Sequence, residues 1–316
     1  MPPEIETARF SFAPRGPYSL AATAERFTRW PEVVDRFDGA TYRRLLPIGR
    51  RGVLLEARQL GTVARARLAV RLTGPGARSP EARAAAERVV AIGLGAALDT
   101  RPFDRAFRSD RLLGGALAHA RGLRIAGAAS LFEAAVTAVL AQQVNLVFAY
   151  DIRRELSLAF GRRARRGRQT FVAFPEPRRI ARLAPRSLRR FRLSRAKAGA
   201  LVRLARAFAG GRLSEAALEP LSDEEAIERL TAIKGVGRWT AEIALLRGLG
   251  RADVFPGGDL GVVKYVAMEL LGHRTRVGEV RMRRFAERWR PYRGLALAYA
   301  YAEIARRRRL RSATED

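Results

Sequence analysis

The 316-residue chain has no cysteine, two histidines and only three lysines. Without cysteine there is no disulfide, no iron–sulfur cluster and no cysteine-ligated zinc. His119 and His273 leave little material for a histidine-rich metal site or a Ser-His-Asp triad. No apolar run is long and uncharged enough to cross a bilayer as a helix. The opening, MPPEIETARFSF, carries acids and lacks an apolar core, so it does not read as a signal peptide. The expectation is a soluble, cytoplasmic chain, monomeric by default, with no membrane partner and no catalytic cofactor.

What the chain has in excess is arginine. Lys and Arg number 60 against 31 Asp and Glu, a net charge of +29. Such a surplus suggests a polyanionic partner, nucleic acid first. The scarcity of lysine (Lys197, Lys234, Lys264) offers a plainer reading, in which GC-rich codons write arginine everywhere, and membrane-surface binding and simple solubility also remain open. With 48% apolar and 29% charged residues the composition is globular, and the length suits two or three domains.

Residues 1–88 read as an α+β domain. Leu20, Ala24 and Phe27 give helical spacing over Pro17–Trp30, and partly alternating segments between Thr41 and Leu72 read as strands separated by Gly39, Gly52 and Gly61. From Pro80 the strand signals stop. Helices are expected over about 80–97, 103–109, 131–160, 177–183, 185–190, 194–209, 214–218, 222–233, 238–248, 259–271, 279–289 and 291–309. Ser130–Glu133 and Ser222–Glu225 have the spacing of capping boxes. The fold class is therefore mainly α with an N-terminal α+β domain. Residues 89–130 with 251–316 form one all-α domain and 131–250 a second. The arginine runs 161–168 and 306–309 read as solvated surface between and after helices, and 312–316 as a frayed tail.

The most informative stretch is Leu230-Thr-Ala-Ile-Lys-Gly-Val-Gly-Arg-Trp-Thr-Ala241. One helix ends, a short turn carries Gly235 and Gly237, and a second helix begins. Glycine admits backbone conformations closed to other residues and removes bulk. The new helix offers unpaired N–H groups at its positive end, suited to a phosphate. Lys234 and Arg238 add charge. This pattern resembles the helix-hairpin-helix of the DNA glycosylase superfamily. Asp259, twenty residues beyond Trp239 in Asp253-Val-Phe-Pro-Gly-Gly-Asp259, resembles the catalytic aspartate of the 3-methyladenine DNA glycosylase II branch. Val139-Leu-Ala-Gln-Gln-Val144, Leu193-Ser-Arg-Ala-Lys-Ala-Gly199 and Ala286-Glu-Arg-Trp-Arg-Pro-Tyr-Arg293 resemble further parts of that branch.

The resemblance implies the helix-hairpin-helix DNA glycosylase fold and a monofunctional enzyme that flips and excises alkylated purines from duplex DNA. It assigns Asp259 to catalysis, where an N-cap role is equally natural. Gly235, Val236, Gly237, Arg238, Thr240 and Lys234 would grip the backbone. Gln143, with Gln142 beside it, would fill the gap left by the extruded base, although two adjacent glutamines also read as a polar notch. Trp239 and Tyr301, then Phe132, Trp289 and Tyr299, would wall the base pocket, against the plain reading that helical aromatics are core. Carbonyls of Thr231, Ile233 and Val236 would hold a monovalent cation. Ile243 departs from relatives that carry an aromatic there. Relatives that cut the strand have a lysine where Trp239 stands. The alternatives are a glycosylase for oxidised, etheno or deaminated purines, or a non-catalytic DNA-binding protein.

Overall fold

The computed structural model describes residues 6–315, with backbone alone from 311. Residues 1–5 of the opening segment and Asp316 lie outside the described residues. The N-terminal part is a five-stranded antiparallel sheet in the order β1-β5-β4-β3-β2. The strands are β1 (Thr7–Phe12), β2 (Asp35–Phe37), β3 (Thr41–Leu46), β4 (Val53–Leu60) and β5 (Arg67–Thr73). Leu68, Val70 and Leu72 alternate inward on β5 and pack with Tyr18, Leu20, Ala82 and Ala86. β1 alternates Ala8, Phe10 and Phe12 toward the core, whereas β2, three residues long, has no alternation of its own. Pairing with β5 and β3 makes them strands.

The rest is mainly helical, as expected, and five elements of the chain depart from expectation. The helix predicted over Pro17–Trp30 is a short Leu20–Ala24 helix followed by a 3₁₀ turn, Glu25–Thr28. A further short helix, Gly114–His119, escaped a pattern search because it is little more than one turn. The arginine run is a hairpin, not an inter-helix loop. β6 (Arg163–Arg166) pairs with β7 (Gln169–Val172), Gly167 turns at φ 57°, and Ala164 and Phe171 pack on Leu45 and Leu54 of the main sheet. The final helix runs Arg293–Glu315, through most of the segment read as a frayed tail.

The most consequential departure is inside 131–160. The predicted single helix breaks into Leu131–Ala141 and Leu146–Phe160, with Gln143 at φ 52° between them. Asn145 caps the second helix through the amide of Phe148.

A buried ionic cluster joins the sheet to these two helices. Arg44 on β3 bonds Asp35 on β2 (2.5 Å) and Glu133 on the first helix. Arg153 on the second helix bonds Glu133, Glu32 and Asp35. Tyr42 adds a hydroxyl donor to Asp35. This explains why Ser130–Glu133 is only half a capping box: Ser130 accepts from the Glu133 amide, but the Glu133 carboxylate turns to the arginines instead of back to Ser130. Ser222–Glu225 forms the complete box. Past the cluster, one apolar core runs through the helices from Phe103 to Ile304.

Removing one partner from such a cluster leaves a buried charge unpaired. We expect Glu133→Ala to cost about 3–5 kcal/mol in urea unfolding. Burial opposes ionisation of Asp35, but Arg44 and Arg153, with Tyr42, outweigh it and lower its pKa. A lowered carboxylate contributes stability that is complete above its ordinary value of 3.8 and is lost as pH falls through the folded-state value. Acid unfolding of Asp35→Asn should accordingly show a shallower fall in stability below pH 4 than wild type, once the variant's lower neutral-pH stability is subtracted.

Candidate active site

The hairpin follows from local sequence. Helix Asp223–Thr231 ends with Leu230 buried, the turn closes by the Val236 amide on the Ile233 carbonyl (2.9 Å), and Val236 anchors it in the core. Helix Arg238–Gly248 starts at Gly237 with no side-chain cap. Ala241 is the first residue of this helix whose amide meets a carbonyl, that of Gly237 (3.0 Å), which leaves the amides of Arg238, Trp239 and Thr240 without a backbone partner among the described residues.

The two glycines differ. Gly235 has φ 95°, and a Cβ there would meet the Ala200 Cβ at 2.7 Å, so glycine is required. Gly237 has φ −89°, an ordinary extended value, and nothing lies within 4 Å of where its Cβ would be. The fold does not demand glycine at 237. What glycine leaves there is open space in front of the helix start.

Several expected contacts turn inward. Thr240 is buried, and Gln142 donates to its hydroxyl (2.8 Å) and to the Gly235 carbonyl (3.1 Å). These two side chains thus brace the hairpin against the helix break and do not face solvent for a backbone grip. Arg203 donates to the Lys234 carbonyl (2.9 Å). Arg238 pairs with Glu224 (2.6 Å) and Glu242 (3.0 Å), and Lys234 stays exposed. Gln143 is exposed at the break.

Asp259 precedes the π-wound helix Gly261–Leu270. Its backbone carbonyl accepts from Val262 and Val263 (both 2.9 Å), so the N-cap geometry is real. Its carboxylate does more. Oδ2 accepts from the Trp239 indole (2.8 Å), and Oδ1 from the Gly261 amide (2.8 Å) and the Tyr301 hydroxyl (3.3 Å). All three donors are neutral, and among the described residues Asp259 has no ion pair. Burial, and then the Asp259 charge, push the Tyr301 pKa well up, so the phenol keeps its proton.

The structure brings Trp239, Tyr301 and Asp259 together and corrects the remaining aromatic assignments. Phe132 is 2% exposed and packs edge-on to Phe174 and Phe208. Trp289 is fully buried against Phe285, and Tyr299 is fully buried beside Phe103. None of the three presents a face to a base. Helix–helix packing claims them, as it does most helical aromatics.

Other groups come in unannounced by the motif. Past Arg238, the helix Arg238–Gly248 is buried except at Trp239, Ile243 and Arg247, spaced by four residues on one face. Arg247 donates Nη1 to the Ala126 carbonyl (2.7 Å) and lies within electrostatic reach of Arg26, Tyr150, Asp259 and Tyr301. Arg26 donates to the Tyr150 hydroxyl (2.6 Å), and Trp30 stacks on Tyr150 with centroids 6.0 Å apart. The four-residue spacing made Arg247 findable. Nothing in the sequence joins Arg26 to Tyr150, 124 residues away.

Residues 136–291 match the family described as HhH-GPD superfamily base excision DNA repair protein. The chain is 35% identical over 165 residues to a DNA-3-methyladenine glycosylase of Bacillus subtilis, covering 52% of this chain and 54% of that one. It is 32% identical over 180 residues to DNA-3-methyladenine glycosylase 2 of Escherichia coli, covering 57% and 60%. The match thus spans little more than half the length of either relative. The solved 3-methyladenine DNA-glycosylase of Archaeoglobus fulgidus superposes with a TM-score of 0.80 at 25% identity, over 94% of this chain and 98% of that one. The chain belongs to the HhH-GPD superfamily of base excision DNA repair proteins, and the relatives it matches there are named 3-methyladenine DNA glycosylases.

Proposed function

We propose that this chain is a monofunctional DNA glycosylase that extrudes alkylated purines of the 3-methyladenine and 7-methylguanine type from duplex DNA and hydrolyses their glycosidic bond. One observation carries the reading: in a chain of +29 net charge, the Asp259 carboxylate is held by three neutral donors and by no cation. Its charge is oriented but not cancelled. When the C1′–N bond breaks, the electron pair leaves on the base and positive charge grows on the sugar. A fixed carboxylate stabilises that charge, and water then adds to C1′ and releases a proton. A cationic methylated base is already a good leaving group, and the faces of Trp239 and Tyr301 attract it by about 0.5–2 kcal/mol per contact.

The hairpin supplies the backbone grip in this reading. The uncapped helix start after Gly237, with Lys234 beside it, suits a phosphate and reads no sequence. Gln143, exposed at the helix break, is the side chain that enters the duplex in place of the extruded nucleotide. The carbonyls of Thr231, Ile233 and Val236 suit a monovalent cation at the hairpin. That of Ile233 keeps a second lone pair beside its bond to Val236. We take the protein to act as a cytoplasmic monomer. Trp239 stands where a strand-cutting relative has its lysine, and no lysine bonds Asp259 among the described residues. Strand scission therefore awaits alkali.

The decisive assay is base release from methylated duplex. Wild type should release 3-methyladenine or 7-methylguanine, and Asp259→Asn should lose about 100- to 1,000-fold; nicks should appear only after alkaline treatment. Binding without release in both proteins would refute the assignment. Gly261→Ala is the second test. A Cβ at Gly261 would collide with the Tyr301 hydroxyl and come within 2.9 Å of Asp259 Oδ1. The variant should stay folded and lose most of its turnover. The two hairpin glycines should also separate: Gly237→Ala weakens duplex binding with stability unchanged within about 0.5 kcal/mol, whereas Gly235→Ala lowers stability itself. Calorimetry and a binding titration on each variant read the difference.

A further inference from the structure

The positive charge of this chain is unevenly spread. Residues 161–214 hold 17 Lys and Arg against a single acid, Glu176, and so carry +16 of the net +29. Codon bias that writes arginine for lysine leaves the acids in place, and outside this segment basic and acidic residues number 43 and 30. The fold then sorts the segment by face. Ile180, Leu188, Phe191 and Leu193 enter the core, while all eight arginines from Arg178 to Arg195 are exposed. Of these eight only Arg192 meets acids among the described residues, Asp151 (2.6 Å) and Glu155 (2.7 Å). Glu176 is taken by Arg162 (2.7 Å).

Contacts place this surface beside the hairpin. Lys197, in the first turn of helix Arg195–Ala209, donates to the Leu140 carbonyl (2.8 Å), three residues before Gln143. Further along the same helix Ala200 lies against Gly235, and Arg203 donates to the Lys234 carbonyl (2.9 Å). On the other side the surface follows helix Leu146–Phe160. Arg192 lies over Phe148 (5.0 Å), Arg190 lies over Phe160 (5.8 Å), and Arg163 of β6 donates to the Leu158 carbonyl. At 1.5 Å per residue that helix is about 22 Å long. The arginines therefore start beside Gln143 and reach about 22 Å from it, to the turn of β6 and β7. The acids along the way, Asp151, Glu155 and Glu176, are each paired with an arginine.

We propose that this surface is a second, sequence-independent duplex-binding site, which holds the phosphates of undamaged DNA to one side of the extruded base. A strand rises about 3.4 Å per nucleotide, so 22 Å corresponds to about six base pairs. Arginine suits the task because its planar fork takes phosphate oxygens two at a time and reads no base. The inference rests on the glycosylase reading above for the position of the lesion at Gln143. It adds a grip on the flanking duplex that takes no part in the chemistry at Asp259.

The test compares wild type with two double variants, Arg186→Gln/Arg189→Gln on the helical part and Arg165→Gln/Arg168→Gln on the β6–β7 hairpin. None of the four arginines makes an ion pair among the described residues, so both variants should fold. Binding to undamaged duplex is titrated at several salt concentrations. Each variant should bind about tenfold more weakly at low salt, and the slope of log K against log salt should shrink by about 2, since each phosphate contact contributes about 0.9. Trimming one arm of the duplex to fewer than about six base pairs should weaken wild-type binding more than trimming the other, and the hairpin variant should lose that asymmetry. Release of 7-methylguanine at saturating enzyme should stay within twofold of wild type. Unchanged affinity and slope in both variants would make the segment plain solvated surface and overturn the inference. Loss of binding to phosphatidylglycerol vesicles with duplex binding intact would make it a membrane contact and overturn it too. So would loss of release at saturation, which would tie these arginines to the chemistry. Failure of wild type to bind duplex at all would instead strike the glycosylase reading itself.

Discussion

The buried cluster of Arg44, Arg153, Glu133, Asp35 and Glu32 fixes where everything else sits. Its carboxylates come from the N-terminal segment and from the helix before the break, and its arginines from the sheet and from the helix after it. Glu133 and Asp35 each meet both arginines, and Glu133 is the one that brings in the helix before the break. Ion pairs of this kind contribute little net stability over an apolar replacement, but they are intolerant of misplacement. The N-terminal sheet is therefore locked in one orientation against the two helices that flank Gln143. Burial pushes the Glu32 pKa up, although Arg153 opposes it.

From that lock the geometry passes to the hairpin in short steps. The helix Leu131–Ala141 packs along Arg238–Gly248, with the Leu131 Cα only 2.8 Å from where a Cβ at Gly248 would sit. At its end Gln142 reaches the Gly235 carbonyl and the Thr240 hydroxyl, while the next residue turns through a left-handed conformation and leaves Gln143 outside. Adjacent glutamines thus have opposite duties. One is spent inside the protein holding the turn, and the other is free. A left-handed φ on a non-glycine residue is costly, and here the surrounding packing holds it at the one point where the helix must stop.

The sequence was most legible where chemistry and local geometry coincide. Leu230–Ala241 shows its two helices and glycine turn directly, and Asp259 and Tyr301 come to Trp239 as the resemblance implied. It was least legible where long-range pairing decides. β2, three residues long, has no pattern of its own and exists because Thr41–Leu46 offers an edge. The Arg163–Arg166 strand looks like a charge run until Ala164 and Phe171 are seen to cover Leu45 and Leu54. The aromatics misled for a related reason. Trp289 and Phe132 have the right chemistry for a base pocket, but helical periodicity points them at neighbours, and only packing reveals that. The glycines of the hairpin look alike in sequence, yet one is required by its own φ and the other by nothing inside the protein.

The electrostatic logic of the site follows from how the chain disposes of its carboxylates. An arginine beside Asp259 would hold the carboxylate firmly but cancel the field that a developing cation needs. The indole, amide and phenol donors hold it by hydrogen bonds, with no ion pair to it among the described residues. Arg247 is tied to the Ala126 carbonyl and makes no ion pair with Asp259. In the proposed reaction the carboxylate acts on the sugar as the bond breaks, while the faces of Trp239 and Tyr301 act on the base before it does. Rate and selectivity are in that case coupled, because the same indole and phenol that face the base also hold the carboxylate in place.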